Sequence, residues 1–122
     1  MKLRLLLTVF TILFIGNSIF AQSKKVETVV IQTSAQCSMC KERIEKELVY
    51  TKGVKKAELN LEDKKVTVTF QGKKITADGI RTVLSDLGYD ADEVVSNKDA
   101  YASLPNCCKK PADRGSCTEM HE

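Results

Sequence analysis

The sequence predicts an α+β domain of order β-α-β-β-α-β, a four-stranded antiparallel sheet with two helices on one face, which is the ferredoxin-like arrangement. Three patterns predict it, all within about 70 residues. Apolar residues recur with helical period in two segments, they alternate in a hairpin between those segments, and short β-branched runs stand at each end.

Val26 to Thr33, rich in Val, Ile and Thr, reads as the first strand. From Ser38 to Tyr50 the apolar positions Cys40, Ile44 and Leu48 recur every four residues, with Glu42 and Lys46 spaced as an i,i+4 pair on the wet side. Gly53 closes that helix, since glycine tolerates the left-handed conformation just past a helix end. Ala57, Leu59 and Leu61 then alternate with Glu58, Asn60 and Glu62. After an Asp63-Lys64 turn, Val66, Val68 and Phe70 alternate with Thr67 and Thr69, so the two runs form a hairpin with one buried face. The second helix, Thr76 to Leu87, carries the stripe Ile80, Val83, Leu84, Leu87, with Thr76 as N-cap and Gly88 as stop. A short strand over Tyr89 to Val95 completes the domain, which spans residues 22–97. Residues 98–122 hold both prolines and three of the five cysteines, and with so little apolar surface they read as an irregular tail.

The chain opens with Lys2 and Arg4, continues in an apolar run from Leu5 to Ile15 and reaches Ala21-Gln22. This has the form of a secretory signal over residues 1–21 with cleavage near Ala21, and it predicts a periplasmic or otherwise extracytoplasmic protein; an uncleaved anchor is the alternative. Losing Lys2 and Arg4 takes the 19 basic residues to 17, against 16 acidic ones. A near-neutral chain whose lysine pairs are interleaved with acids or flank turns gives no electrostatic case for nucleic acid or anionic lipid. About 100 residues suit one small domain with a tail, read here as a monomer.

Chemistry concentrates at Cys37-Ser38-Met39-Cys40, where the first strand gives way to the first helix. The first turn of a helix presents unpaired N–H groups and partial positive charge, which favour thiolate, the form that binds metal or attacks a disulfide. C-x-x-C serves soft-metal carriers, zinc sites and redox enzymes alike. A structural zinc site needs four ligands, and only two are local. A disulfide oxidoreductase would carry Trp-Cys-Gly-Pro-Cys-like surroundings and a nearby proline, and neither is here. Thiol-disulfide exchange, or a structural disulfide, nevertheless stays open as the alternative to metal binding. The domain holds no histidine and its carboxylates Glu42, Glu45 and Glu47 fall on a polar helix face, so hydrolase or transferase chemistry has no support and a non-enzymatic protein is expected. In the tail, Cys107, Cys108, Cys117, Met120 and His121 have the soft-donor composition of a metal site. The competing reading is a disulfide from Cys107 or Cys108 to Cys117.

Cys37-x-x-Cys40 after the first strand, Gly53-Val54 before the second, the Leu59/Leu61 and Val66/Val68 hairpin, and Leu87-Gly88-Tyr89 before the last strand together resemble the heavy-metal-associated domain. That family includes small copper chaperones, the metal-binding repeats of copper-exporting ATPases and the periplasmic mercury-binding protein. The resemblance covers residues 26–95. It implies that Cys37 and Cys40 bind one soft ion, Cu(I) first and Hg(II), Zn(II) or Cd(II) as others, for sequestration or for transfer to a metal-transporting membrane protein or another acceptor. It also implies that Tyr89 shields the metal loop; packing at the end of the second helix is the other reading. One departure stands out. The family commonly places a buried Met two residues before the first cysteine, and here that residue is Ala35. A side chain so short either leaves the loop looser or calls on Met39 to swing in.

Overall fold

A computed structural model describes residues 25–114. The proposed signal segment, residues 1–21, and the tail donors Cys117, Met120 and His121 lie outside the described residues. Strand β1 (Val26–Gln32), helix α1 (Ser38–Tyr50), strands β2 (Val54–Asn60) and β3 (Lys65–Gln71), and helix α2 (Ala77–Asp86) follow in the expected order, and a further helix α3 (Lys98–Ala102) precedes two 3-10 turns. The sheet is antiparallel with β3 in the middle, order β1-β3-β2. Val29 lies opposite Val68 and Ile31 opposite Val66 on one side of β3, while Leu59 faces Val66 on the other.

This register puts Ile31, Leu59, Val66, Val68 and Phe70 on one face of the sheet, where they form a single core with Ile44 and Leu48 of α1 and Ile80 and Leu84 of α2. Each fully buried side chain of this size contributes about 1.5–3 kcal/mol, so this face holds the domain together. β2 is an edge strand, and the outward N–H of Leu59 is taken up at 2.7 Å by the Glu45 carboxylate of α1. Glu45 therefore caps a sheet edge, a role its place on a polar helix stripe did not announce. The expected Glu42–Lys46 pairing gives way to Lys41–Glu45 at 3.8 Å.

Both helix ends obey local rules. Thr76 caps α2 by accepting from the Gly79 N–H, and Gly88 ends it with φ +97°. Tyr89 N–H donates to Leu84 O and Gly88 N–H to Ser85 O, the paired bonds of a Schellman stop. A Cβ on Gly88 would stand 2.9 Å from the backbone of Ala100 and Tyr101, so the same glycine admits α3 to close contact.

Two expectations need correction. The fourth strand is reduced to single bridges, Thr33 to Ala91 and Ala91 to Val94, and the described sheet has three strands. The cause is Asp92, which adopts φ +52° and whose carboxylate accepts from the Gln32 N–H at 2.9 Å and from Arg81 at 2.9 Å. A side chain thus takes the β1 donor that a ladder would have used, and the chain folds back at once. The second correction concerns residues 98–114, which pack instead of trailing as an irregular tail. Asn97 caps α3 through the N–H groups of Asp99 and Ala100, Tyr101 packs against the core, and Leu104 and Cys108 are buried within it.

Candidate metal centre

The loop that presents the first thiol is pinned by hydrogen bonds. Thr33 donates both its N–H (2.8 Å) and its hydroxyl (2.9 Å) to Lys64 O, and its Oγ1 accepts from the Ala35 N–H. Ser34 Oγ accepts from the Asp90 N–H at 3.0 Å, and the Gln36 amide donates to Ser34 O at 2.9 Å. Ala35 is fully buried, whereas Met39 is 49% exposed. The loop is therefore held by polar tethers, and Met39 does not swing inward to replace the missing anchor.

Cys37 is the N-cap residue of α1, with extended backbone and no side-chain capping bond, so its sulfur is free for other partners. Cys40, three residues on, points from the first turn into the core and is fully buried. Their sulfurs lie 3.4 Å apart. Cys108 comes from the far end of the chain to within 3.9 Å of Cys37 Sγ, and the three sulfurs all lie within 4.8 Å of one another. Burial pushes the Cys108 thiol well above its ordinary range, with the neighbouring cysteines adding to the shift. Cys107, exposed, sits 3.9 Å from Cys108 Sγ and 4.0 Å from Met39 Sδ. Of the tail donors named from the sequence, Cys108 thus joins the C-x-x-C pair, Cys107 stands beside it, and Cys117, Met120 and His121 are outside the described residues.

The C-terminal segment is steered here by polar contacts as well as by Leu104. Lys110 Nζ meets Asp90 Oδ2 at 2.6 Å, Tyr101 Oη accepts from the Lys110 N–H and donates to Asp113, and Arg114 donates to Lys109 O and Cys107 O. Asp90 binds on three sides, since its other carboxylate oxygen accepts from the Ser96 N–H and its own N–H reaches Ser34 in the metal loop.

Tyr89 lies beside the Cys40 and Cys108 thiols, fully buried, and its hydroxyl has no hydrogen-bond partner among the described residues. Burial, followed by the adjacent Cys108 and Cys40 thiols, drives its ionisation far above the ordinary tyrosine range. An orphaned buried donor aimed at thiols fits a site whose sulfurs become thiolates, because a thiolate accepts the hydrogen bond that a thiol accepts poorly. Tyr89 therefore fills the end of the core next to the Cys40 and Cys108 thiols.

Three clustered soft donors on an α+β scaffold define a thiolate metal-binding domain. The model of the heavy-metal-associated domain matches residues 30–90, half of the chain, and the chain belongs to that family. It is 39% identical over 75 residues to a copper-exporting P-type ATPase of Staphylococcus aureus (strain JH9), an alignment covering 61% of this chain and 9% of the ATPase. The chain thus spans about a tenth of the length of the curated relatives it matches. Among solved structures, the oxidized MerP of Ralstonia metallidurans CH34 superposes with a TM-score of 0.54 at 25% identity, covering 56% of this chain and 96% of MerP. The copper-ion-binding protein of Bacillus anthracis str. Ames, itself described as putative in that role, gives 0.54 at 28% identity, over 57% and 100%. Both coverages stop well short of this chain's full length.

Proposed function

We propose that this protein is exported, binds Cu(I) through Cys37, Cys40 and Cys108, and carries it to or withholds it from a metal-transporting membrane protein. The observation that carries the reading is the third thiol. Metal–sulfur bonds of about 2.3 Å set ligand sulfurs about 4.6 Å apart in a linear site and about 4.0 Å apart in a trigonal one. The 3.9 Å separation of Cys37 and Cys108 is near the trigonal value, and the 3.4 Å between Cys37 and Cys40 would open by about half an ångström to reach it. Three soft thiolates satisfy Cu(I), whereas structural zinc would be one ligand short. The likeness to a copper-exporting ATPase supports copper and a transporter as acceptor, and the MerP likeness keeps Hg(II) as the second cargo to test. A third ligand also makes release slower than from a two-cysteine loop, which favours retention until an acceptor displaces it.

The test is anaerobic titration of the reduced full chain with Cu(I) against a chelating competitor, with X-ray absorption at the first equivalent. Wild type is expected to show three Cu–S bonds. Cys108→Ser should leave two and weaken binding about 10- to 100-fold, while Cys37→Ser with Cys40→Ser abolishes tight uptake. Unchanged affinity in that double variant overturns the assignment. Disulfide turnover by a wild type that binds no ion supports thiol exchange instead. Intact mass of the same chain recovered from outside the cytoplasm should begin at Gln22; retention of residues 1–21 in membranes overturns the cleaved-export part.

A further inference from the structure

Met39 and Cys107 remain unused by the three-thiol site. Met39 is an unbranched apolar side chain with half its surface in water, on a helix whose core positions Cys40, Ile44 and Leu48 are all filled. Its thioether does not point at random: Sδ lies 4.0 Å from the sulfur of Cys107, a residue 68 positions away, and that sulfur lies 3.9 Å from Cys108 Sγ. Both separations match the spacing of about 4.0 Å expected between ligands of a trigonal thiolate centre. Cys107 is fixed in place by the 3-10 turn Asn106–Cys108 and by Arg114, whose guanidinium donates to Cys107 O at 3.2 Å and brings a positive charge to the turn.

We infer that Met39, Cys107 and Cys108 form a second, outer site for a soft monovalent ion, sharing Cys108 with the inner site as a bridge. Filling it needs no oxidant or reductant. The Cys107 thiol gives its proton to water and bonds the ion, the Cys108 thiolate lends a second lone pair while keeping the first ion, and the Met39 thioether adds a neutral pair. Two neutral or shared donors and an exposed position make this the weaker, faster-exchanging of the two ions, the one an acceptor's thiols meet first. The inference rests on the three-thiol reading above, and its test separates the two.

The probe is Ag(I), a soft ion that does not change oxidation state here, added to the reduced full chain under argon. Native mass spectrometry and the 13C-methyl signal of Met39, assigned by its loss in Met39→Leu, are followed together. Two ions should bind, and the Met39 signal should move with the second equivalent and not with the first. Met39→Leu combined with Cys107→Ser should weaken the second ion at least tenfold and leave the first unchanged; circular dichroism identical to wild type shows that the variant is folded. A Met39 signal that stays still through two equivalents, or an unweakened second ion in the double variant, overturns the outer site and assigns any second ion to Cys117, Met120 or His121. If instead Cys37→Ser with Cys40→Ser leaves the tightest ion in place, it is the inner reading that fails.

Discussion

A buried hydroxyl without a partner among the described residues is a cost that binding at the proposed site would offset, and this decides what Tyr89→Phe should do. In the ion-free chain the variant removes an unsatisfied polar atom from a site with no access to water, so its melting temperature should equal or exceed that of wild type. Once an ion converts Cys40 and Cys108 to thiolates, the tyrosine O–H gains a charged acceptor worth about 1.5 kcal/mol, so Phe should weaken the inner ion about tenfold. Calorimetry of the two forms with and without Cu(I) reads both effects. A lower melting temperature in the ion-free variant would show that the hydroxyl is satisfied there after all.

Among the elements, the docked C-terminal segment is tied back to the domain by the Asp90–Lys110 pair. Burial alone would raise the Asp90 carboxyl, but the hydrogen bonds from Lys110 and the Ser96 N–H outweigh it and hold the group below its ordinary 3.8. A carboxyl depressed in the folded state contributes stability that is full above the ordinary carboxylate range and is lost as pH falls through the lower folded value. Asp90→Asn should therefore melt below wild type at pH 7, and the gap should narrow as pH is lowered past 3.8. A gap constant from pH 7 to pH 3 would mean that the Lys110 pair does not hold the segment. The elements themselves were legible in uneven measure. α1, α2 and the hairpin follow from periodicity because tertiary packing used the same apolar faces. The fourth strand was not legible, since Asp92 breaks it with a side-chain hydrogen bond that no alternation pattern records. α3 left only a weak signal, Asn97 as a cap before Lys98–Ala102. The C-x-x-C pair was plain in sequence. That Cys108 meets it depends on the close approach at Gly88, and that Met39 faces Cys107 depends on the same docking; neither lies along the chain.

For the molecule as a whole, the ion and the fold are linked by mass action. Free Cu(I) buffered at about a thousand times Kd should add about 4 kcal/mol to unfolding, on the order of 20 °C for a domain of this size. At the same free concentration, Cys108→Ser with tenfold weaker binding should recover about 1.4 kcal/mol less of that gain. Scanning calorimetry in a Cu(I) buffer measures the difference, and equal gains would exclude Cys108 from the energetics of binding.

The separation of 71 residues between Cys37 and Cys108 means that a bound ion closes a ring around most of the domain. A disulfide spanning such a loop would remove about 4 kcal/mol of freedom from the unfolded chain; an ion does the same but can be withdrawn by any competing thiol. Its removal would open the ring without undocking the segment, because buried Leu104 and the Asp90–Lys110 pair hold the C-terminal end in place by themselves. What such a withdrawal would change is the freedom of the unfolded chain, so the proposed site would act on how readily the domain unfolds and not on its folded shape.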